Sequence, residues 1–315
     1  MILKNKILLF SLWQLRLLLI CCIAVLLGNI SFAATATTSA SVANSLPVAS
    51  SVILNNGSDI VLTANSTTTV QVNATITDNN GCEDITQVTA TLYITSVGSG
   101  ASDNNQTHYS ATCVSNGDCS GGGDISETFH CNFSMTWYAN PTDSGSANEG
   151  DNWTAEVVPY DGEGEGTSDT AIQELLTLTA MSLETTSISF GEISLGGDTA
   201  DNNENTLIAN HGNEQIDVEL SGYGSSQGDG YCMVCTSGAV GVSYLEYSLN
   251  LFTYGFGTQL ASSPTELDLD VAQGSDTTPR PTKSIYYGLG FPVSGISGTC
   301  TGTLVITAVS DPLAD

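Results

Sequence analysis

The chain has 315 residues, with five Lys or Arg against 33 Asp or Glu, for a net charge of −28 at pH 7. A surface this negative repels nucleic-acid phosphates, which are bound by clustered Lys and Arg, and repels anionic membrane headgroups; divalent cations and basic partners are what it attracts. Charged residues are only 12% of the chain, and uncharged Ser, Thr, Asn and Gly carry most of its polarity, which argues against high-salt adaptation.

The N-terminus predicts export. Lys4, Lys6 and Arg16 make a basic region and residues 17–27 an apolar run, shorter than the roughly 20 residues of a membrane span. Residues 31–33, Ser-Phe-Ala, then place small side chains where a signal peptidase reads. An uncleaved anchor would need the earlier apolar stretch 7–13 as well, and Gln14 and Arg16 interrupt that extension. Lipidation at Cys21 or Cys22 is not expected, because Ile20 and Cys21 stand where a small residue is required. Cleavage after Ala33 leaves Arg280 and Lys283 as the only cationic side chains, in a chain expected to be secreted or held at the cell surface, with no membrane contact of its own.

Residues 34–50 read as a flexible leader of Ala, Ser, Thr and Val without periodicity. Beyond them the period is that of strands. Val70, Val72, Ala74 and Ile76 alternate with polar residues, and 78–81, Asp-Asn-Asn-Gly, supplies a turn. Val88, Ala90, Leu92 and Ile94 alternate again, and further strands are expected near 107–114 and 127–138. Trp153, Ala155 and Val157 alternate up to a Pro-Tyr-Asp-Gly turn at 159–162, before a strand over 171–179. A second series begins near Leu183: a strand and its turn over 187–191 and 193–197, then strands at 206–210, 216–220, 244–251, 266–271, 284–289 and 299–308. A tight turn at 211–213 is expected to leave His211 exposed. Short strands separated by turn signals every 8–12 residues are the signature of β-sandwiches. The expected fold is all-β: two immunoglobulin-like β-sandwich domains, over 51–180 and 181–315, after a signal peptide over 1–33 and the leader over 34–50.

Seven cysteines follow the leader, and in an exported protein they read first as disulfides. Cys82, Cys113, Cys119 and Cys131 allow two bridges in three pairings. In the second half Cys235 is expected to pair with Cys300, leaving Cys232 spare or paired between chains. Cys232 and Cys235 form a Cys-x-x-Cys, but no βαβ pattern surrounds it.

Residues 153–161 resemble the penultimate strand of bacterial immunoglobulin-like and PKD-type domains. Residues 188–193 with 208–213 resemble the Phe-Gly and Asn-x-Gly-Asn patterns of immunoglobulin-like surface domains, and residues 297–303 their last strand. Taken together, residues 55–309 are similar to exported two-domain surface proteins of small-genome bacteria. That resemblance implies adhesion or surface architecture rather than chemistry.

No catalytic constellation stands out, and an enzyme is not expected. His108, His130 and His211 have neither metal-ligand nor nucleophile spacing. Calcium is the one cofactor considered, because hard cations want six to eight oxygens. Three loops offer them: Asp78, Asn80, Glu83 and Asp84; Asp198, Asp201, Asn203 and Glu204; and Asp161, Glu163, Glu165 and Asp169. Asn-x-Ser/Thr sequons begin at Asn56, Asn65, Asn73, Asn105, Asn132 and Asn152. Tyr223, Tyr231, Phe252, Tyr254 and Phe256 could meet a sugar or protein but are expected to pack in strands. The function expected is a structural or adhesive surface protein whose partners are other surface proteins, itself or glycans; the alternative is a secreted ligand-binding module, calcium-dependent or carbohydrate-directed.

Overall fold

The computed structural model describes residues 3–27 and 34–311; the cleavage motif at 31–33 lies outside them. The apolar N-terminal segment is one helix, α1 (Leu3–Leu27). The chain up to Ala43 forms one unit, and from Asn44 onward a second.

The second unit starts with eight strands: β1 (Val48–Leu54), β2 (Thr68–Thr77), β3 (Gln87–Ile94), β4 (His108–Thr112), β5 (Val114–Ser115), β6 (Ser126–Met135), β7 (Trp153–Tyr160) and β8 (Asp169–Gln173). They form an immunoglobulin-like sandwich, with sheet β1-β2-β6-β5 facing sheet β4-β3-β7-β8. The alternation read in the sequence decides which side chains turn inward. Val70, Val72, Ala74 and Ile76 of β2 are buried between half-exposed neighbours, and Val88, Ala90, Leu92 and Ile94 of β3 meet them from the other sheet. Trp153 fills the middle of this core with no exposed surface, and its indole N–H donates to the Asn140 carbonyl at 3.0 Å. A buried indole needs that partner, because its one polar atom is otherwise desolvated for nothing.

Strand β1 begins at Val48, inside the stretch expected to be leader. Thr167 N–H donates to Pro47 O and Ala49 N–H to Thr167 O, both at 2.9 Å. The partner that orders this segment lies far along the chain, so local composition carried no trace of it. The strand expected over 171–179 ends its ladder at Gln173, and Leu175 continues only as a parallel bridge to Ile60.

Eleven strands follow: β9 (Met181–Leu183), β10 (Glu204–Asn210), β11 (Ile216–Tyr223), β12 (Tyr231–Ser237), β13 (Ala239–Gly241), β14 (Leu245–Ser248), β15 (Thr258–Gln259), β16 (Thr265–Val271), β17 (Thr282–Leu289), β18 (Ser297–Thr301) and β19 (Thr303–Ser310). Sheet β15-β14-β17-β10-β9 faces two adjoining ladders, β16-β11-β19 and β13-β12-β18. These two ladders are one long ribbon: β11 runs antiparallel to β19 up to Tyr223 opposite Thr303, and β12 resumes against β18 with Val234 opposite Thr301. Gly302 sits at the join, where a Cβ would lie 1.8 Å from the Cys232 carbonyl oxygen; only glycine fits there.

A second core, separate from the first, gathers Ile208, Val218, Leu220, Leu245, Ile285 and Tyr287 among others. Two expectations change here. Residues 187–191 form no strand, although a turn follows at 195–196. The Cys-x-x-Cys segment, given no element in the sequence reading, lies in β12. His211 is buried, 6% exposed, because the turn at 211–213 receives the linker between the sandwiches. Asn213, with no exposed surface, accepts from Leu178 N–H at 2.6 Å and donates to Leu176 O at 3.0 Å.

Candidate functional site

The two sandwiches share a pairing pattern, to which the second adds β15 and the ladder β13-β12-β18 and from which it lacks one strand. β9, β10 and β17 pair as β1, β2 and β6 do, and β16, β11 and β19 pair as β4, β3 and β7 do. In the first sandwich β8 then flanks β7, and parallel bridges from Val48 to Thr167 and from Ile60 to Leu175 close the gap between the sheets. Among the described residues of the second, nothing corresponds to β8: β19 pairs with β11 alone and β18 with β12 alone. Among the described residues, segment 185–195 beside this ribbon makes no backbone hydrogen bond to it.

Side-chain burial records the same gap. The inward residues of β7 (Trp153, Ala155 and Val157) have no exposed surface. Those of β19 (Leu304, Ile306 and Ala308) pack against the second core but are only half-buried. A groove of about 350 Å³ runs along them, walled by Leu183, Ile188, Phe190, Met233, Leu304 and Ile306, with no Asp, Glu, Lys or Arg in its lining. It continues past Ile193 and Phe291 to Cys300. Cys232 also lines the groove. It is 5% exposed, donates to the Gly241 carbonyl at 3.4 Å, and burial pushes its thiol up to about 12. A bridge between chains would need that thiol at the surface.

At the first sandwich two acidic loops meet. Asp78 and Asp84, between β2 and β3, and Asp161, after β7, each bring a carboxylate oxygen within 4.8 Å of the other two. The β3–β7 register, Gln87 opposite Tyr160, places the entry of one strand beside the exit of the other. Thr86 tightens the join by donating its N–H at 2.9 Å and its hydroxyl at 3.2 Å to Tyr160 O. The Cys82–Cys119 disulfide holds the first loop from outside.

Asp78 has no exposed surface. Its Oδ1 accepts from Asn80 N–H at 2.8 Å, and its Oδ2 has no hydrogen-bond partner. Asp161 is 6% exposed; its Oδ1 accepts from Glu163 N–H at 2.7 Å and Gly164 N–H at 2.9 Å. Its Oδ2 accepts from the Asn44 amide at 2.7 Å, and that bond, with the two backbone donors, holds the carboxyl below the usual carboxylate range. Asn80 Oδ1 accepts from Ser45 N–H at 2.6 Å. Asp84 is the least buried of the three carboxylates, and Glu83 turns outward over Gly121.

The sequence treats 78–84 and 161–169 as separate loops. The structure takes Asp161 from the second into the first and leaves its other acids apart: Glu165 accepts from the Tyr160 hydroxyl at 3.1 Å and Asp169 from Thr170 N–H at 2.9 Å. Among the described residues, Asp198, Asp201 and Glu204 do not gather into such a set. Asp198 caps Ala200 N–H at 2.7 Å, Asn203 accepts from Phe252 N–H at 2.8 Å, and Asp201 accepts from the Thr253 hydroxyl. A set absent from the sequence reading, Asp217, Asp268 and Asp270, clamps a strand irregularity: Asp217 Oδ1 accepts from Leu269 and Asp270 N–H, both at 2.7 Å.

Disulfides join Cys82 to Cys119, Cys113 to Cys131, and Cys235 to Cys300; the last two residues are direct partners in the β12–β18 register. The histidines serve separate local bonds, His108 with Asp103, His130 with Asn116 and His211 with Ser182. Tyr254 donates to Tyr244 O at 3.2 Å, whereas Phe256, expected to pack, is 86% exposed.

No family model and no curated protein matches the chain. Among solved structures it is similar to the CsuC–CsuE chaperone–tip adhesion subunit pre-assembly complex of archaic chaperone-usher Csu pili from Acinetobacter baumannii. That match is 12% identical, covers 80% of this chain and 96% of that one, and has a TM-score of 0.35. The secreted serine protease VesC of Vibrio cholerae is 9% identical, with 81% of this chain and 49% of that one covered and a TM-score of 0.19. Similarity of this degree carries no function from either protein to this chain.

Proposed function

We propose that the chain is an exported structural or adhesive surface protein whose second sandwich accepts an extended strand from another protein chain. The supporting observation is the missing neighbour of β18 and β19: a row of unpaired backbone groups beside a groove whose section along β19 holds no charged side chain. An edge of that kind is a template for strand addition, in which main-chain bonds supply affinity and alternate side chains fill pockets. Three disulfides suit the oxidising side of a membrane, and the proposal assigns the chain no catalytic role.

The occupant is a protein segment at least as long as β19, uncharged, with apolar residues at every second position. A segment of that type would cover Leu304, Ile306 and Ala308 as β8 and its parallel bridges close the first sandwich.

Hydrogen exchange tests this. In the purified chain alone, β18 and β19 amides pointing away from β11 and β12 should exchange fast. Adding a peptide of alternating Val and Thr should slow them while the particles stay single. Filaments of the chain alone would make the occupant a second copy. Slow exchange throughout β19 in the lone monomer, unchanged by peptide, would overturn the proposal.

A further inference from the structure

We infer that the Asp78–Asp84–Asp161 loop pair is a calcium site that fastens the start of the folded unit to the first sandwich. Three carboxylates within 4.8 Å of one another repel unless a positive charge sits among them. No side chain supplies that charge. Arg280 pairs with Glu184 at 3.0 Å and Lys283 lies 3.9 Å from Asp270, both in the second sandwich. Among the described residues beyond Ala33 these are the only Lys and Arg.

The second observation is Asp78 itself. It is fully buried, yet Oδ2 has no hydrogen-bond donor. A buried carboxylate oxygen left without a partner is costly, and a hard cation provides what the protein does not. The other oxygens are already positioned: Asn80 N–H fixes Asp78 Oδ1, and Glu163, Gly164 and Asn44 fix Asp161. Asp78 and Asp161 are therefore held in place before the ion arrives.

An irregular all-oxygen set suits calcium. Calcium binds oxygens at about 2.3–2.6 Å, so two ligands across it stand about 5 Å apart, and it tolerates irregular shells completed by water and carbonyls. Magnesium demands shorter, octahedral contacts. An all-oxygen set does not attract softer metals.

Asn44 and Ser45 reach both loops, one through Asp161 and one through Asn80. A cation drawing the loops together would tighten the segment leading into β1 as well. Calcium would thereby set how firmly residues 44–47 are held against the first sandwich.

Thermal unfolding of the purified chain in metal-stripped buffer tests the site, with terbium luminescence sensitised by the adjacent Tyr160 as a second readout. At a hundredfold excess over the dissociation constant, calcium should raise the melting temperature by about 5 °C or more. Magnesium should do less. Terbium emission should appear and be displaced by calcium. Asp84→Asn, the most conservative change at the least buried ligand, should abolish both signals while leaving the disulfide-linked fold intact. Two results would overturn the inference: no calcium shift and no terbium emission in the wild type; or the same shift in Asp84→Asn and Asp161→Asn, which would make it a diffuse effect of acidic surface. Each is independent of whether β19 accepts a strand.

Discussion

Leu220 and Ile306 form a matched pair for testing whether the C-terminal edge is open. They are direct partners in the β11–β19 register, so their side chains share one face of the ribbon and point at one core. Leu220 has no exposed surface, whereas Ile306 is half-buried against the groove. Truncating a fully buried Leu or Ile to Ala costs about 2–5 kcal/mol, the lost transfer energy plus the cavity. Leu220→Ala should therefore cost about 3 kcal/mol. Ile306 has less surface removed from water and no closed cavity to leave behind, so Ile306→Ala should cost about 1 kcal/mol. Urea dependence of hydrogen exchange, read on peptides from β10 and β17, follows opening of the second core without interference from Trp137 and Trp153 in the first. With a strand-forming peptide bound, the cost of Ile306→Ala should rise towards that of Leu220→Ala. Equal costs for the two variants in the lone chain would refute the open-edge reasoning, because they would mean Ile306 is already enclosed.

Cys232 should resist iodoacetamide at pH 8 in the native chain and react on unfolding, as mass spectrometry would record, since burial holds its thiol near 12; rapid native labelling would contradict its placement. Trp153→Ala should cost about 3–5 kcal/mol and lower the melting temperature of the first sandwich, while Trp153→Phe should recover only part of that, because the Asn140 carbonyl loses its donor. Asp229 is held well below the usual carboxylate range by the backbone N–H groups of Ser225, Tyr231, Ser226 and Gly224. A depressed folded value means this stability is present above about pH 4, the unfolded value, and is lost as pH falls through the folded one. Acid unfolding followed by circular dichroism should therefore show a weaker pH dependence below 4 in Asp229→Asn than in wild type.

The amino-acid sequence by itself determined the all-β class, because period-two alternation in 70–76, 88–94 and 153–157 admits only half-buried strands whose inward face is already chosen. It also exposed the charge imbalance and the cysteines of the three disulfides, properties that need no neighbour to be read. What it could not show was anything resting on contacts distant in the chain. The segment at 48–50 became a strand through Thr167, and the turn at 211–213 became buried because the linker lands on it. Residues 187–195, patterned like a strand, make no backbone hydrogen bond to the ribbon beside them, and β18 and β19 keep that side open. Asp161 joined Asp78 and Asp84 only because antiparallel pairing of β3 with β7 returns the chain to where it left β2. Local pattern dictates which way a side chain faces; which strand is missing, and which carboxylates meet, are decided by what lies across the sheet.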